Sequence, residues 1–294
     1  MTQNVPTHYV QQYTSNIQLL LQQMDTRIAG YVSTGSYTGK GGVPVDQLGA
    51  VSAQQVTSRL QPIVPMDVAT DRRWVYPTDF HVPIIIDSFD KLRLLTDPTS
   101  EYVKVAVAAM KRQKDDLVIS SFFSAANTGE TGSTTTSFPG AQQVGVNIGG
   151  TGSGLNFAKL RAARRLFSAN EVDPDEELYV AVTADEMEDL MNEPQLTTRE
   201  FVNFSGMSPA ESGRIMRAQG FTIIETNRLQ LNSSSQRRIP VWSRLGVHLG
   251  TWNDIKVSIT QRNDIAGLPY QIYVHMTAGA TRVEERRVVE ILCA

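Results

Sequence analysis

Two glycine-rich segments are the first places where this sequence could bind a charged ligand. Segment 35–42 (GSYTGKGG) combines glycines with a lysine, as phosphate-binding loops do. Such a loop needs four residues between its first glycine and the Gly-Lys pair, followed by Ser or Thr. Here three residues intervene and Gly41 follows Lys40. Segment 149–154 (GGTGSG) lacks the spacing of a dinucleotide-binding loop. We therefore interpret 35–42 as a flexible arm and 149–154 as a flexible linker.

Two acidic clusters could hold a metal ion or supply paired carboxylates for acid–base chemistry. Neither cluster has the spacing of a calcium-binding loop, and the first turn of a helix favours acidic residues electrostatically. We interpret both clusters as solvated surfaces. The first comprises Asp173, Asp175, Glu176 and Glu177 in a predicted turn, and the second comprises Asp185, Glu186, Glu188 and Asp189 on a predicted short helix.

The histidines, the serines and the single cysteine form no recognisable catalytic motif. No serine lies in the Gly-x-Ser-x-Gly turn of a hydrolase. His81 and His275 fall in strand-like runs and are interpreted as structural histidines with satisfied hydrogen bonds. Cys293 is predicted to be a small apolar residue, and a lone cysteine excludes both an internal disulfide and a Cys/His zinc cluster. The sequence therefore predicts a protein that is not an enzyme, without catalytic, cofactor-binding or metal-binding residues and without a cofactor. The four histidines are scattered: His8, His81, His248 and His275.

Charge and hydropathy exclude further classes. The 27 basic and 30 acidic residues give a net charge of −3, which excludes a strongly basic nucleic-acid-binding protein. One predicted helix has a basic side that could contact nucleic acid or an acidic neighbour, although a subunit contact or solvation is the simpler interpretation. No apolar run approaches the ~18 residues of a membrane span, and residues 1–10 lack a signal peptide, so a cytoplasmic protein without a membrane partner is expected. The basic side comprises Lys159, Arg161, Arg164 and Arg165.

The clearest predicted element is a long helix over about 98–126. Asp97 is suited to the N-cap and Pro98 to the first helical position, and neither Gly nor Pro follows until Gly129. Such a helix is roughly 43 Å long at ~1.5 Å per residue, and its pattern is amphipathic throughout. Lys114 falls on the apolar side and is expected to pair with a carboxylate or extend along its stem. The predicted apolar face comprises Tyr102, Val103, Ala106, Val107, Ala109, Met110, Leu117, Val118 and Ser121; the predicted polar face comprises Glu101, Lys104, Lys111, Arg112, Asp115 and Asp116.

The chain before this helix has few apolar anchors. A short helix is predicted at 15–28 and a glycine-rich arm after it. Residues 50–87 are predicted to form a long hairpin, with strands at 55–64 and 80–86 and a reversal at 65–71. Its prolines favour an exposed ribbon over a central strand. Arm and ribbon are expected to become ordered only against neighbouring molecules, because neither can offset the entropy of ordering alone.

The rest of the chain mixes helices and strands, so the predicted class is α+β. Helices are predicted at 155–169, 184–192 and 208–220, and strands at 178–182, 221–225, 255–260, 270–276 and 286–292.

This order of elements resembles the major capsid protein of tailed bacteriophages, with its Hong Kong 97-type fold. The resemblance covers nearly the whole chain and depends on the order of three stretches. They are 82–119, with Leu94-Leu95-Thr96-Asp97-Pro98; 206–227, with Gly220-Phe221 and Glu225-Thr226-Asn227; and 255–289, with Gly279-Ala280-Thr281-Arg282-x-Glu284-Glu285-Arg286.

The resemblance implies a division of the chain into the parts of that fold. It implies an N-arm at 1–45, an extended hairpin loop at 46–89, and an axial domain at 172–253. The peripheral domain, with the spine helix at 98–126, would take 90–171 and 254–294.

The same resemblance implies a structural protein that self-assembles as pentamers and hexamers into an icosahedral phage head around double-stranded DNA. It is expected in the virion after assembly in the host cytoplasm, with non-specific DNA contact and a portal. The resemblance also implies either a separate scaffolding protein or none, and it allows a decoration protein as a further partner. Neither a cleavable N-terminal scaffolding region nor a covalent crosslink through Lys40 is expected. The alternatives are an encapsulin-like nanocompartment shell, which has the same fold, and an unrecognised cytoplasmic hydrolase.

Overall fold

Residues 22–39, 42–63, 65–86, 99–193 and 215–294 are described by a computed structural model of the chain. The α+β class predicted from the sequence is confirmed. The helices are α1 Thr99–Phe123, α2 Phe157–Ala169 and α3 Ala184–Met191; the strands are β1 Ser33–Ser36, β2 Val43–Leu48, β3 Thr70–Val75, β4 Thr78–Ile86, β5 Ala126–Thr128, β6 Thr134–Thr136, β7 Gln143–Val144, β8 Leu178–Val182, β9 Arg217–Ala218, β10 Phe221–Glu225, β11 Arg237–Ser243, β12 Val247–Gln261, β13 Tyr270–Arg282 and β14 Val288–Cys293.

The described strands form three sheets. One has the order β1-β12-β13-β4 and is built on the long antiparallel pair β12–β13. A six-stranded sheet has the order β7-β14-β11-β8-β10-β9, and a third has the order β2-β3-β5-β6. Pro83 is tolerated in β4 because that strand is an edge of its sheet, as the prolines predicted.

Helix α1 packs its apolar side on the sheet that contains β4 and β13. Ala106 and Met110 are buried there against Ile272, Val274 and Met276. The helix ends at Phe123 rather than near the predicted residue 126, because the chain enters β5 at Ala126. Its predicted start at Asp97-Pro98 lies outside the described residues.

The charged residues of α1 follow the prediction except at Asp115. Lys114, which the sequence places on the apolar side, pairs with a carboxylate as expected: its Nζ lies 3.6 Å from Asp254 Oδ1. Asp115 was expected on the solvated face, but it is fully buried. Its carboxylate accepts hydrogen bonds from the backbone amides of Arg27 (2.8 Å), Ile28 (3.2 Å) and Ala29 (3.2 Å). A charge with three amide donors can be buried where an unpaired charge could not.

The prediction that the arm finds its partners only on other molecules is wrong for its described part. Ile28, Ala29 and Val32 belong to the main hydrophobic core, and β1 pairs in parallel with β12. Residues 22–28 are not helical, and 15–21 of the predicted helix lie outside the described residues.

The predicted pairing in the ribbon is also wrong. β4 pairs with β13 rather than with 55–64, and the hairpin is formed by β2 and β3, with Val43 opposite Val75. The described residues between Gly49 and Ala69 contain no strand. Alternation of apolar residues predicted that 80–86 is a strand but could not identify its partner.

The predicted α/β elements after α1 are mostly confirmed. Strands β8 and β10 have the predicted bounds, and α2 begins two residues later than predicted, where Asn156 accepts from the amide of Lys159 as N-cap. The helix predicted at 208–220 lies outside the described residues as far as 214. The described part of that segment, residues 215–220, is not helical. It contains β9 and a turn at Gln219 and Gly220, which both have positive φ.

Replacing Asp115 with Ala should free the arm. The three amides that donate to it, two of them in the buried residues Ile28 and Ala29, would lose their acceptor, so the free energy of unfolding should fall by about 2–4 kcal/mol. Asp116→Ala is the control, because Asp116 pairs with Arg228 in a part-exposed position and should cost at most about 1 kcal/mol. Urea denaturation gives the free energies, and limited proteolysis should cut Asp115→Ala first within 22–32. Equal losses for the two variants would contradict the assigned role.

Candidate assembly surface

The ribbon of β2 and β3 projects a loop, residues 49–69, whose apolar side chains face solvent. Leu60 and Ile63 are 95% and 94% exposed. A monomeric protein rarely exposes a group of large apolar side chains, and such groups mark interaction surfaces. The exposed set in and beside the loop comprises Leu48, Val51, Val56, Leu60, Ile63, Met66 and Val68.

Arg73 fixes the base of this ribbon to the end of β13. It is nearly buried, and its guanidinium lies 2.8 Å from Asp71 Oδ2 and 3.0 Å from Glu285 Oε2. Its Nε also donates to the carbonyl of Val283 (3.0 Å). Sequence reasoning missed Arg73, although period two places it on the same strand face as Val75, which is buried.

The aromatic side chains of β3 and of the turn after it complete the base. The indole of Trp74 donates to the carbonyl of Gly129 (2.7 Å), and its ring stacks on Tyr76 with 6.4 Å between centroids. The backbone comes so close to β13 that a Cβ on Gly279 would lie 2.1 Å from the Tyr76 carbonyl oxygen. Only glycine fits there, so the ribbon leaves the subunit from a rigid base.

A second projection is the far end of the β12–β13 hairpin. Strand β1 covers β12 only from His248 to Thr251, and no other described strand pairs with that edge. Residues 253–261 therefore present an open sheet edge, which is a template for pairing with another chain. Val257, Ile259 and Leu268 are exposed along this projection.

The glycine-rich segments have structural roles where they are described. Gly35 lies in β1, so this part of 35–42 is an ordered strand and not a flexible arm, while Lys40 and Gly41 lie outside the described residues. Segment 149–154 is an ordered turn rather than a flexible linker. In it the Gly152 amide donates to Asn147 Oδ1 (3.0 Å) and Ser153 Oγ donates to the Ile148 carbonyl (3.0 Å).

The acidic clusters are only partly solvated, which corrects the prediction. Glu186 is buried and forms a capping box with Thr183 at the start of α3. Glu176 pairs with Arg287, and Asp189 accepts from the amide of Leu155 (3.1 Å). Asp185 remains exposed in the first turn of α3, where its charge favours the helix.

The two histidines singled out in the sequence lie opposite each other on β4 and β13. His81 is exposed and its ring stacks on Tyr273 (5.8 Å between centroids). The expectation of satisfied hydrogen bonds is wrong for His275, whose buried Nδ1 has no partner among the described residues. No three His, Cys, Asp or Glu side chains come together as a metal site in the described chain.

Lys159 was predicted on the basic side of α2, but it is fully buried. Its Nζ donates to the carbonyls of Ser153 (2.6 Å) and Leu292 (2.8 Å), and burial lowers its pKa. Cys293 lies 3.8 Å from the same nitrogen, is buried as predicted, and has its pKa raised to about 12 by that burial. Arg161 and Arg165 are exposed and Arg164 is half-buried, so the basic side is narrower than predicted.

The described helices include none that is long and apolar enough to cross a membrane.

Comparison with known proteins identifies a family over nearly the whole chain. A family model described as phage capsid protein matches residues 5–294. No curated protein matches the sequence.

Solved structures share the fold at low sequence identity. The capsid structure of the cyanophage P-SCSP1u is 13% identical with a TM-score of 0.74, covering 97% of this chain and 93% of that one. The capsid of cyanophage Pam1 is 12% identical with a TM-score of 0.72, covering 99% and 98%. The capsid of a native GTA particle is 12% identical with a TM-score of 0.68, covering 98% and 96%. These likenesses confirm the Hong Kong 97-type fold expected from the sequence.

Arg73→Ala should loosen the base of the ribbon. Glu285 would lose one of its two arginine partners in a half-buried position, and the Val283 carbonyl would lose a donor. The free energy of unfolding should therefore fall by about 2–3 kcal/mol, with faster amide exchange in β2 and β3. Arg72→Ala is the matched control, because Arg72 pairs with Asp46 at the surface and should cost at most about 1 kcal/mol. Hydrogen exchange and urea denaturation measure both effects. Slower or unchanged exchange in Arg73→Ala would show that other contacts fix the base.

Proposed function

The chain belongs to the phage capsid protein family, and from this premise we propose that its copies assemble as pentamers and hexamers into a closed icosahedral head. The observation that carries the proposal is the loop 49–69, whose large apolar side chains are exposed in the described subunit, Leu60 and Ile63 almost fully. Burial of such side chains contributes roughly 1.5–3 kcal/mol each, and a neighbouring molecule in a shell would supply the covering surface.

Two further features of the described residues support self-association. The open edge of β12 at 253–261 can accept an extended segment of a second copy, and its exposed Val257 and Ile259 would be covered by that contact. The ribbon base is held by Arg73 and Glu285, so the loop is presented from a fixed position. A fixed loop loses less freedom on binding than a mobile one.

The division of the chain into parts is proposed from the resemblance to the Hong Kong 97-type fold. We keep as part of the proposal an N-arm at 1–45, an extended loop at 46–89, an axial domain at 172–253, and a peripheral domain at 90–171 and 254–294. The role needs no catalytic residue, metal or cofactor.

The packaged content is proposed to be double-stranded DNA, in a head assembled in the host cytoplasm. A net charge of −3 suits a container that holds DNA without binding it tightly, because a strongly cationic lining would bind phosphates by counterion release. A portal, a separate scaffolding protein and a decoration protein are the proposed partners.

Assembly should depend on the exposed loop. The double variant Leu60→Asn/Ile63→Asn should fold normally, since both residues are almost fully exposed in the subunit. The concentration needed for shell formation should rise at least tenfold, which corresponds to ~1.4 kcal/mol of lost contact energy. Ser58→Asn, an exposed change in the same loop, is the control and should assemble as wild type. Light scattering and electron microscopy measure assembly, and unchanged assembly of the double variant would reject the loop as the contact.

Particles purified from a productive infection should contain nuclease-protected double-stranded DNA. Nuclease treatment followed by extraction and sequencing of the protected nucleic acid tests this directly. Shells that enclose a cargo protein and no DNA would favour the nanocompartment alternative. A monomer that stays unassembled at high concentration, with scaffolding protein supplied, would count against a shell of either kind.

A further inference from the structure

Helix α2 has three arginines that no described carboxylate neutralises. Arg161 and Arg165 are exposed one helical turn apart, and Arg164 is half-buried beside them. None of their guanidinium groups forms an ion pair or a hydrogen bond with another described residue. By contrast, Arg238 and Arg287 each pair with a carboxylate of the same subunit. The charge of the three α2 arginines is therefore available to a partner.

The chain turns acidic directly after α2. Glu171, Asp173 and Asp175 are exposed, and no described cation pairs with them. The Asp175 amide donates to Asp173 Oδ1 (3.0 Å), so the turn that carries these carboxylates is ordered. The negative end of the α2 dipole lies at the start of the turn and adds to its field. Unpaired cations and unpaired anions thus follow each other directly along the chain.

A cavity of about 260 Å³ opens beside the acidic turn. It is smaller than the about 300–1,000 Å³ of small-molecule pockets, and its size suits one long side chain. Its walls combine apolar side chains with two carboxylates. Arginine matches both, because its stem is apolar and its guanidinium pairs with carboxylates. We call this the acidic cavity, and its lining includes Phe167, Val172 and Leu178, the carboxylates of Glu171 and Asp173, and Arg164.

The arginines of the same subunit leave the two carboxylates unpaired. Neither Arg161 nor Arg165 lines the acidic cavity, although both belong to the helix that forms one of its walls. Arg164 does line it but forms no ion pair with either carboxylate, and its Nη1 lies 3.7 Å from the position that a Cβ on Gly220 would take. A second copy of the chain has the exposed cations that this cavity lacks.

We propose that neighbouring copies meet head to tail, with Arg161 and Arg165 of one copy bound at the acidic cavity of the next. The inference rests on the proposed assembly and names one contact within it. Because two different patches of the same chain meet, the contact is heterologous and can repeat around a closed ring. Exposed ion pairs are individually weak, so this contact sets the orientation of neighbours, while the apolar loop is proposed to supply the strength.

Double-stranded DNA is a poorer match for the α2 arginines. The exposed carboxylates directly after α2 would repel its phosphates, whereas the same carboxylates are the complement that a second copy needs. The charge pattern therefore favours another subunit over DNA.

Reversing the charge of each side, and then of both, tests the contact in nuclease-treated full-length protein. Arg161→Glu/Arg165→Glu and Glu171→Lys/Asp173→Lys each bring like charges together, and both should fold as wild type because the four residues are exposed. Each double variant should need at least tenfold more protein than wild type for ring or shell formation at 0.1 M salt. The quadruple variant exchanges the two signs, keeps the net charge of −3, and should assemble within twofold of wild type. Light scattering and electron microscopy measure assembly.

Two controls identify charge as the cause. Arg161→Lys/Arg165→Lys keeps both cations and should assemble within twofold of wild type. At 1 M salt the Debye length falls from about 10 Å to 3 Å, so the defect of each double variant relative to wild type should shrink below threefold.

The outcomes separate this contact from the assembly on which it rests. Wild-type assembly of either double variant, or failure of the quadruple variant to recover, overturns the contact. A defect confined to the arginine variant also overturns it and would indicate DNA or another acidic partner for α2. In each of these cases wild-type protein still assembles and the proposed function stands. Wild-type protein that forms neither rings nor shells would reject the proposed assembly and the contact with it.

Discussion

The buried carboxylate of Asp115 is the interaction on which the position of the arm depends. It lies in the middle of α1, fully removed from solvent, and accepts three consecutive backbone amides of the arm. A buried carboxylate without donors would be strongly unfavourable, and buried amides without an acceptor would be unfavourable too. The arm and the helix therefore stabilise each other. From that point the chain passes through Ile28 and Val32 in the core to β1, and β1 sets where the ribbon begins.

A buried cation, Arg282, binds the C-terminal end of α1. Arg282 donates to the carbonyls of Phe122 (2.9 Å) and Ser124 (2.8 Å), which the helix end leaves without intrahelical partners. It also donates to the Thr136 carbonyl (3.2 Å), and burial lowers its pKa. Glu285 lies 3.5 Å from Arg282 Nε and also pairs with Arg73 of the ribbon. The helix end, the end of β13 and the ribbon base are thus joined through one carboxylate. The base of the ribbon is therefore tied to the buried end of α1, which would fix the position of the loop that we propose contacts a neighbour.

Local patterns predicted the elements whose signals are local. The uninterrupted run before Gly129 predicted α1, and the apolar run at 178–182 predicted β8 with its observed bounds. Strand pairing could not be predicted from the sequence, because the alternation in β4 indicates which face is apolar but does not identify β13 as the partner. The predicted exposure of several polar residues was wrong for the same reason, because a local pattern does not show which partner a side chain meets. Asp115, Lys159 and Glu186 look solvated on a helical projection, yet backbone or side-chain partners bury each one. For Asp115 and Lys159 those partners include groups distant in sequence, at 27–29 and 292. The exposed loop 49–69 could be recognised as unable to pack alone, but no residue in it signals where the neighbouring surface lies.

The distribution of charge bears on what the shell would contain. Several arginines that a linear count treats as free cations are used inside the subunit: Arg228 pairs with Asp116, Arg238 with Glu290 and Arg287 with Glu176. Such pairing lowers the number of cations that could release counterions from phosphates, so in the proposed head these arginines would attract DNA only weakly. If the head holds DNA as we propose, confinement would hold it, and confinement requires strong contacts between subunits. The exposed apolar loop and the open edge of β12 are the described features that can supply them, because both gain most where no partner from the same subunit competes.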